Sequence, residues 1–219
     1  MPAGRWLEYY AEHFDTVELN ASFYRLQAAT TFRSWSRRLP AGFVMAVKAS
    51  RYLTHTKRLR EPAEPLARLW SRAEALGSHL GPILYQLPPR WKFDGDRLRG
   101  FLEALPNGRP QAIEFRDSAW NTPRAYELLV QAGVALCLHD MPGSNPDPRP
   151  VGPFVYVRFH GAGQRYGGRY DDDTLRAWAD RLAAWREAGL TSWVYFNNDI
   201  GGEAPRDATR LRELLPRYA

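Results

Sequence analysis

Four pairs of polar residues two apart carry the chemistry this chain could do: Glu18 and Asn20, Lys48 and Ser50, Glu114 and Arg116, Arg158 and His160. In an extended strand that spacing puts both members of a pair on one face. Carboxylates such as Glu114 and Glu18 can take a proton and an imidazole such as His160 can give one. Ammonium and guanidinium groups such as Lys48, Arg116 and Arg158 can hold a negatively charged part of a substrate. Gln86, Asp140 and the run Asn197-Asn198-Asp199 close other apolar runs in the same way. The pattern predicts Glu114, His160 and Glu18 as catalytic groups. It predicts Lys48, Arg116, Arg158, Asn20, Gln86, His55, Trp120 and Asn198 as substrate-binding groups. A purely structural account would pair Glu18 with Lys48 and Glu114 with Arg158. Buried ion pairs rarely add net stability over apolar replacements, so several at one end of a sheet point to a site.

Glu18, Glu114, Asp140, His160, His55 and Asp199 offer oxygen and nitrogen donors that suit a divalent metal. Their cationic neighbours oppose one, and the chain has no His-x-His or His-x-x-x-His pair. No metal ligand is assigned, and no cofactor follows from the sequence. Gly161, Gly163, Gly167 and Gly168, then Gly201 and Gly202, fall in two loops where a phosphate could be cradled, with turn formation as the competing use.

The elements that must position these groups recur regularly. Apolar runs rich in Val, Ile, Phe and Tyr predict strands at 16–20, 43–50, 81–88, 111–117, 135–140, 154–161 and 192–199. Helix-period segments fall at 5–13, 29–38, 62–76, 95–104, 122–132, 173–188 and 203–215. Strand starts are about 29 residues apart, and such alternation argues for a parallel sheet with helices outside it. The exception is 141–153, whose five prolines predict an extended loop. The polar residues lie in the C-terminal half of each run. In a barrel, the C-terminal ends of the strands line the mouth where catalytic groups sit.

The 219 residues, 44% hydrophobic and 25% charged, predict one globular domain over 1–219 and exclude a disordered or coiled-coil chain. The longest apolar runs, such as Phe43 to Val47, are far too short for a membrane span. Without a leader pattern at the N-terminus, a cytoplasmic protein is expected. The single cysteine, Cys137, sits in an apolar run and predicts a buried thiol. The net charge of +6 favours anionic partners, and Arg51, Lys57, Arg58 and Arg60 beside His55 form the one basic concentration.

The strings VELNASFYRL (17–26), VKASRYLTH (47–55), LGPILYQLPP (80–89), EFRDSAW (114–120), YVRFHG (156–161) and YFNNDIGGEA (195–204) resemble the YecE-like family, the bacterial domain of unknown function numbered 72. The resemblance spans essentially the whole chain and implies a TIM-type α/β barrel with parallel strands, without an established reaction. Family members usually open with a further strand ending in a Gly-Thr-Ser-Gly-Trp-like turn, which is absent here. The expectation is a barrel lacking its usual first strand, with a homodimer across the open seam, a covering segment or reduced stability as the consequence. Two functions compete. One is an enzyme, a hydrolase or lyase, acting on a phosphate-bearing substrate such as a nucleic-acid backbone or phosphosugar. The other is a non-catalytic module that docks on nucleic acid or another acidic partner through 51–60.

Overall fold

A computed structural model describes residues 2–141, 144, 148–163 and 165–216. It contains the seven expected strands: β1 (Thr16–Leu19), β2 (Val44–Lys48), β3 (Leu80–Gln86), β4 (Gln111–Glu114), β5 (Ala135–His139), β6 (Val155–Phe159) and β7 (Ser192–Phe196). They form one sheet in sequential order, β1 to β7. The registers described are all parallel: Val17 lies beside Met45, Leu138 beside Val157 and Tyr156 beside Trp193. With helices between most successive strands, this is the TIM-type α/β fold, with seven strands among the described residues.

The helices are α1 (Trp6–Ala11), α2 (Ala21–Tyr24), α3 (Ala29–Ser36), α4 (Ala63–Ala73), α5 (Gly95–Glu103), α6 (Pro123–Ala132), α7 (Asp172–Glu187) and α8 (Glu203–Leu214). Their ends follow local chemistry. The Thr122 hydroxyl accepts from the Ala125 amide at 3.2 Å, Pro123 takes the first turn, and Gly133 leaves the helix at φ 64°. Asp171 caps α7 by accepting from the Thr174 amide at 2.7 Å. Between β5 and β6 no helix forms among the described residues, as the prolines predict; 142, 143 and 145–147 of that loop lie outside them.

The chain divides into two compact units, Met1–Pro88 with Phe93–Ile113, and Pro89–Lys92 with Glu114–Ala219. In the first, β2 and β3 are almost wholly buried, and Phe32, Leu53 and Leu69 belong to the core. In the second, β5 and β6 are buried along their full length, as expected of strands covered on both faces. Phe159 there meets Tyr170, Trp178 and Phe196 at ring separations of 5.3, 5.0 and 4.6 Å. Trp178 therefore packs a helix onto the sheet.

Candidate functional site

The second unit gathers its polar strand ends around one carboxylate. Glu114, the last residue of β4, is fully buried. Arg116, two residues on, donates from Nε to Oε1 of Glu114, so the spacing of two does put both on one side. Arg158 on β6 donates to Oε2 at 2.6 Å and reaches Asn197 Oδ1 at 3.4 Å. Burial would raise the Glu114 carboxyl, but the Arg158 and Arg116 guanidiniums outweigh it and hold the pKa well below the usual carboxylate range.

The Arg116 guanidinium also donates to His160 Nε2 at 3.1 Å. An Nε2 that accepts leaves the proton of the neutral ring on Nδ1, and Nδ1 is buried without a hydrogen-bond partner. Burial, reinforced by the two guanidiniums against the pull of Glu114, lowers the His160 pKa to about 2. His160 is thus a neutral ring presenting an N–H donor. His139 is neutral too. Its Nε2 lies 2.6 Å from the Phe115 carbonyl, its Nδ1 accepts from the Met141 amide at 3.2 Å, and burial lowers its pKa. Two guanidiniums therefore meet the Glu114 carboxylate beside two uncharged imidazoles. Cys137 is buried, as expected, with its sulfur 3.9 Å from Glu114 Oε2.

A second network fixes the loop after β6. The carboxylate of Asp140 accepts from the His160 amide at 2.8 Å and from the Tyr170 hydroxyl, which itself accepts from the Gly161 amide at 2.7 Å. The residue as a whole is exposed, yet burial of its carboxylate raises the pKa of Asp140. Asp207 on α8 accepts from the Tyr170 amide at 3.2 Å and from Asn198 Nδ2 at 2.7 Å. In this loop Gly168 has φ 78°, and a Cβ there would lie 2.3 Å from the Ala162 carbonyl oxygen, so this glycine has a turn to make whatever else it does.

The remaining predicted residues fall as follows. Trp120 is fully buried, against Phe115 and Trp91, with its indole N–H on the Trp91 carbonyl, so it offers no face to a ligand. Asn198 is likewise buried and spends its amide N–H groups on Asp207 and the Gly168 carbonyl. Lys48, Glu18, Asn20, Gln86 and His55 belong to the first unit. There the Lys48 ammonium lies 4.4 Å from the Phe23 ring centroid, and the His55 ring meets Phe23 edge-on at 5.0 Å. Glu18, Asn20 and Gln86 are half-buried at the ends of β1 and β3. Among the described residues no three His, Cys, Asp or Glu side chains gather closely enough to hold a metal ion. No helix among them is long and apolar enough to cross a membrane.

A family model described as "Protein of unknown function DUF72" matches residues 1–219. The chain belongs to this family. The DUF72 chain is 26% identical over 242 residues to the UPF0759 protein YunF of Bacillus subtilis (strain 168), covering 95% of this chain and 86% of that one. A crystal structure of a DUF72 family protein from Thermotoga maritima matches it with a TM-score of 0.87 and 26% identity, over 98% of this chain and 90% of the other. A second, from Enterococcus faecalis V583, gives 0.82 and 18%, over 97% and 89%. Both carry the TIM-type fold expected of the YecE-like strings. Within the DUF72 chain, Tyr170 and Asp207 are parts of the site surroundings that strand patterning does not reveal. Tyr170 lies in a glycine-rich loop and Asp207 inside a helix; a fully buried carboxylate on a helix is their only trace.

Proposed function

We propose that the chain is an enzyme acting on a phosphate-bearing substrate at the strand ends of the second unit. The observation that carries this reading is the buried, unpartnered N–H donor at Nδ1 of His160, on the ring that the Arg116 guanidinium holds. A phosphate oxygen accepting from that N–H and from Arg116 would satisfy both. Because Glu114 is held ionised by two guanidiniums, it is a weak base, and its part is to orient Arg116 and Arg158. A neutral His160 donates a hydrogen bond to charge that develops on the substrate, a role that needs no free proton. Hydrolysis or elimination at the phosphate ester is the chemistry such a site favours. The comparisons supply the family and the fold; they name no reaction.

Inorganic phosphate titrated into the protein, followed by ³¹P NMR, tests the binding half. Binding near the millimolar range is expected, weakened about tenfold or more by Arg116→Gln and less by Arg116→Lys. With a panel of phosphomonoesters and phosphodiesters, His160→Asn is expected to slow turnover on the order of 100-fold. Phosphate binding that ignores Arg116→Gln in a variant with native circular dichroism defeats the proposal. A second reading, a non-catalytic module, is favoured by the exposed Arg51, Arg58 and Arg60 of the first unit. It predicts polyanion binding that falls steeply with salt and survives both variants.

A further inference from the structure

The first unit contains a cavity of about 320 Å³ that no residue of the Glu114 network lines. That size lies at the lower end of small-ligand pockets. It is walled by α4, by the segment after α2 and by a π-helical turn, Tyr52–Thr56, whose geometry is uncommon and recurs at functional sites. Leu53 and Leu69 form an apolar floor and are almost completely buried. Three guanidiniums line it, from Arg25, Arg68 and Arg72, against one carboxylate, Glu64. Arg72 is fixed by its bond to the Leu26 carbonyl at 3.2 Å, and Arg68 pairs with Glu64 at 2.5 Å. The lining thus carries an excess of two positive charges over an apolar base. Tyr52, 45% exposed, adds an aromatic ring at the wall.

The turn is held in shape from below. Ser50 accepts from the Tyr52 amide at 3.2 Å through its hydroxyl, and its carbonyl accepts from the Leu53 amide at 3.1 Å. Beyond it, Leu59 is buried at φ 62° with its amide on the Leu53 carbonyl at 3.0 Å. Arg58 and Glu61 also have positive φ, at 48° and 42°. Non-glycine residues in that region cost about 1 kcal/mol or more each and persist only where surrounding structure enforces them. The turn that carries Tyr52 and Leu53 is therefore held in one shape.

We propose that this cavity binds a nucleoside monophosphate, with the phosphate between Arg25, Arg68 and Arg72 and the base against Tyr52 and the leucine floor. The three features fit different parts of one molecule. A phosphomonoester dianion matches the excess of two positive charges, the flat ring matches the apolar floor and tyrosine, and the volume admits one nucleotide. A fatty carboxylate would leave one guanidinium excess unmatched, and free phosphate would leave the floor empty.

The test is calorimetric titration of the full chain with AMP, adenosine and inorganic phosphate separately. AMP is expected to bind at least tenfold more tightly than either adenosine or phosphate. Arg25→Gln and Arg68→Gln, both at exposed positions, are each expected to weaken AMP binding about tenfold. Tyr52→Ala is expected to weaken it about fivefold or more, from lost stacking. Arg116→Gln, in the other unit, is expected to leave it unchanged, which separates this cavity from the strand-end site. No binding of AMP at about 1 mM overturns the proposal, as does equal affinity for phosphate or adenosine. AMP binding insensitive to Arg25 and Arg68, or lost in Arg116→Gln, overturns it too.

Discussion

His160 shows how burial decides what a side chain can do. In the unfolded chain it titrates near about 6.5, whereas in the folded protein its pKa is about 2. Between these values the unfolded chain binds more protons, so stability rises with pH and is lost as pH falls below about 6.5. His139, lowered by burial, adds in the same direction, and Glu114, held low by its guanidiniums, adds again in the carboxylate range. Asp140, raised by burial, opposes them, because its stabilisation is lost as pH rises through its elevated pKa. The stability read from urea unfolding is therefore expected to fall between pH 6.5 and pH 5, by up to about 1.4 kcal/mol per pH unit from His160, with His139 adding in the same direction. In His160→Gln one imidazole's share of that slope should vanish, and a slope identical to the parent's would contradict the assignment. The spacing of two in the sequence does put Glu114 and Arg116 on one side. It is silent on Arg116 meeting His160, 44 residues away, and on which group neutralises which, because those depend on neighbouring strands rather than on the strand itself.

Strands and helices were the most legible elements, because burial on both faces demands unbroken apolar runs and helices demand a period near 3.6. All seven strands appear where expected, but each ends before its expected last residue. Asn20 leads into α2, Ser50 into the π-helical turn, and Arg116 into the short turn Ser118–Trp120. An extended-looking spacing persists past the last ladder hydrogen bond, so the sequence alone cannot mark the strand's end. The π-helical turn has no sequence signature at all, since its extra residue is absorbed by packing around Leu53 and Leu59. Loop geometry is similarly hidden, and Gly152 exposes the reason. Its φ is 95°, and a Cβ there would sit 2.4 Å from the Val134 carbonyl oxygen and 2.8 Å from the Ala135 Cα. Val151 beside it accepts from the Leu136 amide at 2.9 Å, holding the end of the proline-rich loop against β5. Gly152→Ala is expected to cost about 2 kcal/mol or more, through both the strained φ and the backbone clash. A thermal melt of Gly152→Ala within a degree of the parent would show that the loop simply moves aside.

At the scale of the molecule, the two compact units do not follow the order of the chain. The second unit takes Pro89–Lys92 from within the span of the first, and its main body starts at Glu114, the last residue of β4. The borrowed segment is integral. Trp91 packs on Trp120 with ring centroids 4.9 Å apart, its carbonyl takes the Trp120 indole N–H, and Lys92 lies 3.7 Å from Asp117. Without this segment, the indole N–H of a fully buried Trp120 loses the Trp91 carbonyl and its ring loses the Trp91 contact. A lost buried hydrogen bond and a cavity beside an aromatic ring each cost on the order of 1 to 3 kcal/mol, a large share of the stability of a domain this size. A fragment of residues 114–219 is therefore expected to lack native near-ultraviolet circular dichroism and dispersed amide resonances. In the full chain, Trp91→Ala keeps that carbonyl and removes only the ring, and should lower the melting temperature by a few degrees, at about 1 to 3 kcal/mol. Full spectral dispersion in the isolated fragment would mean that Trp120 packs equally well without its partner, and that the sequence repeat, rather than the spatial unit, is the piece that folds.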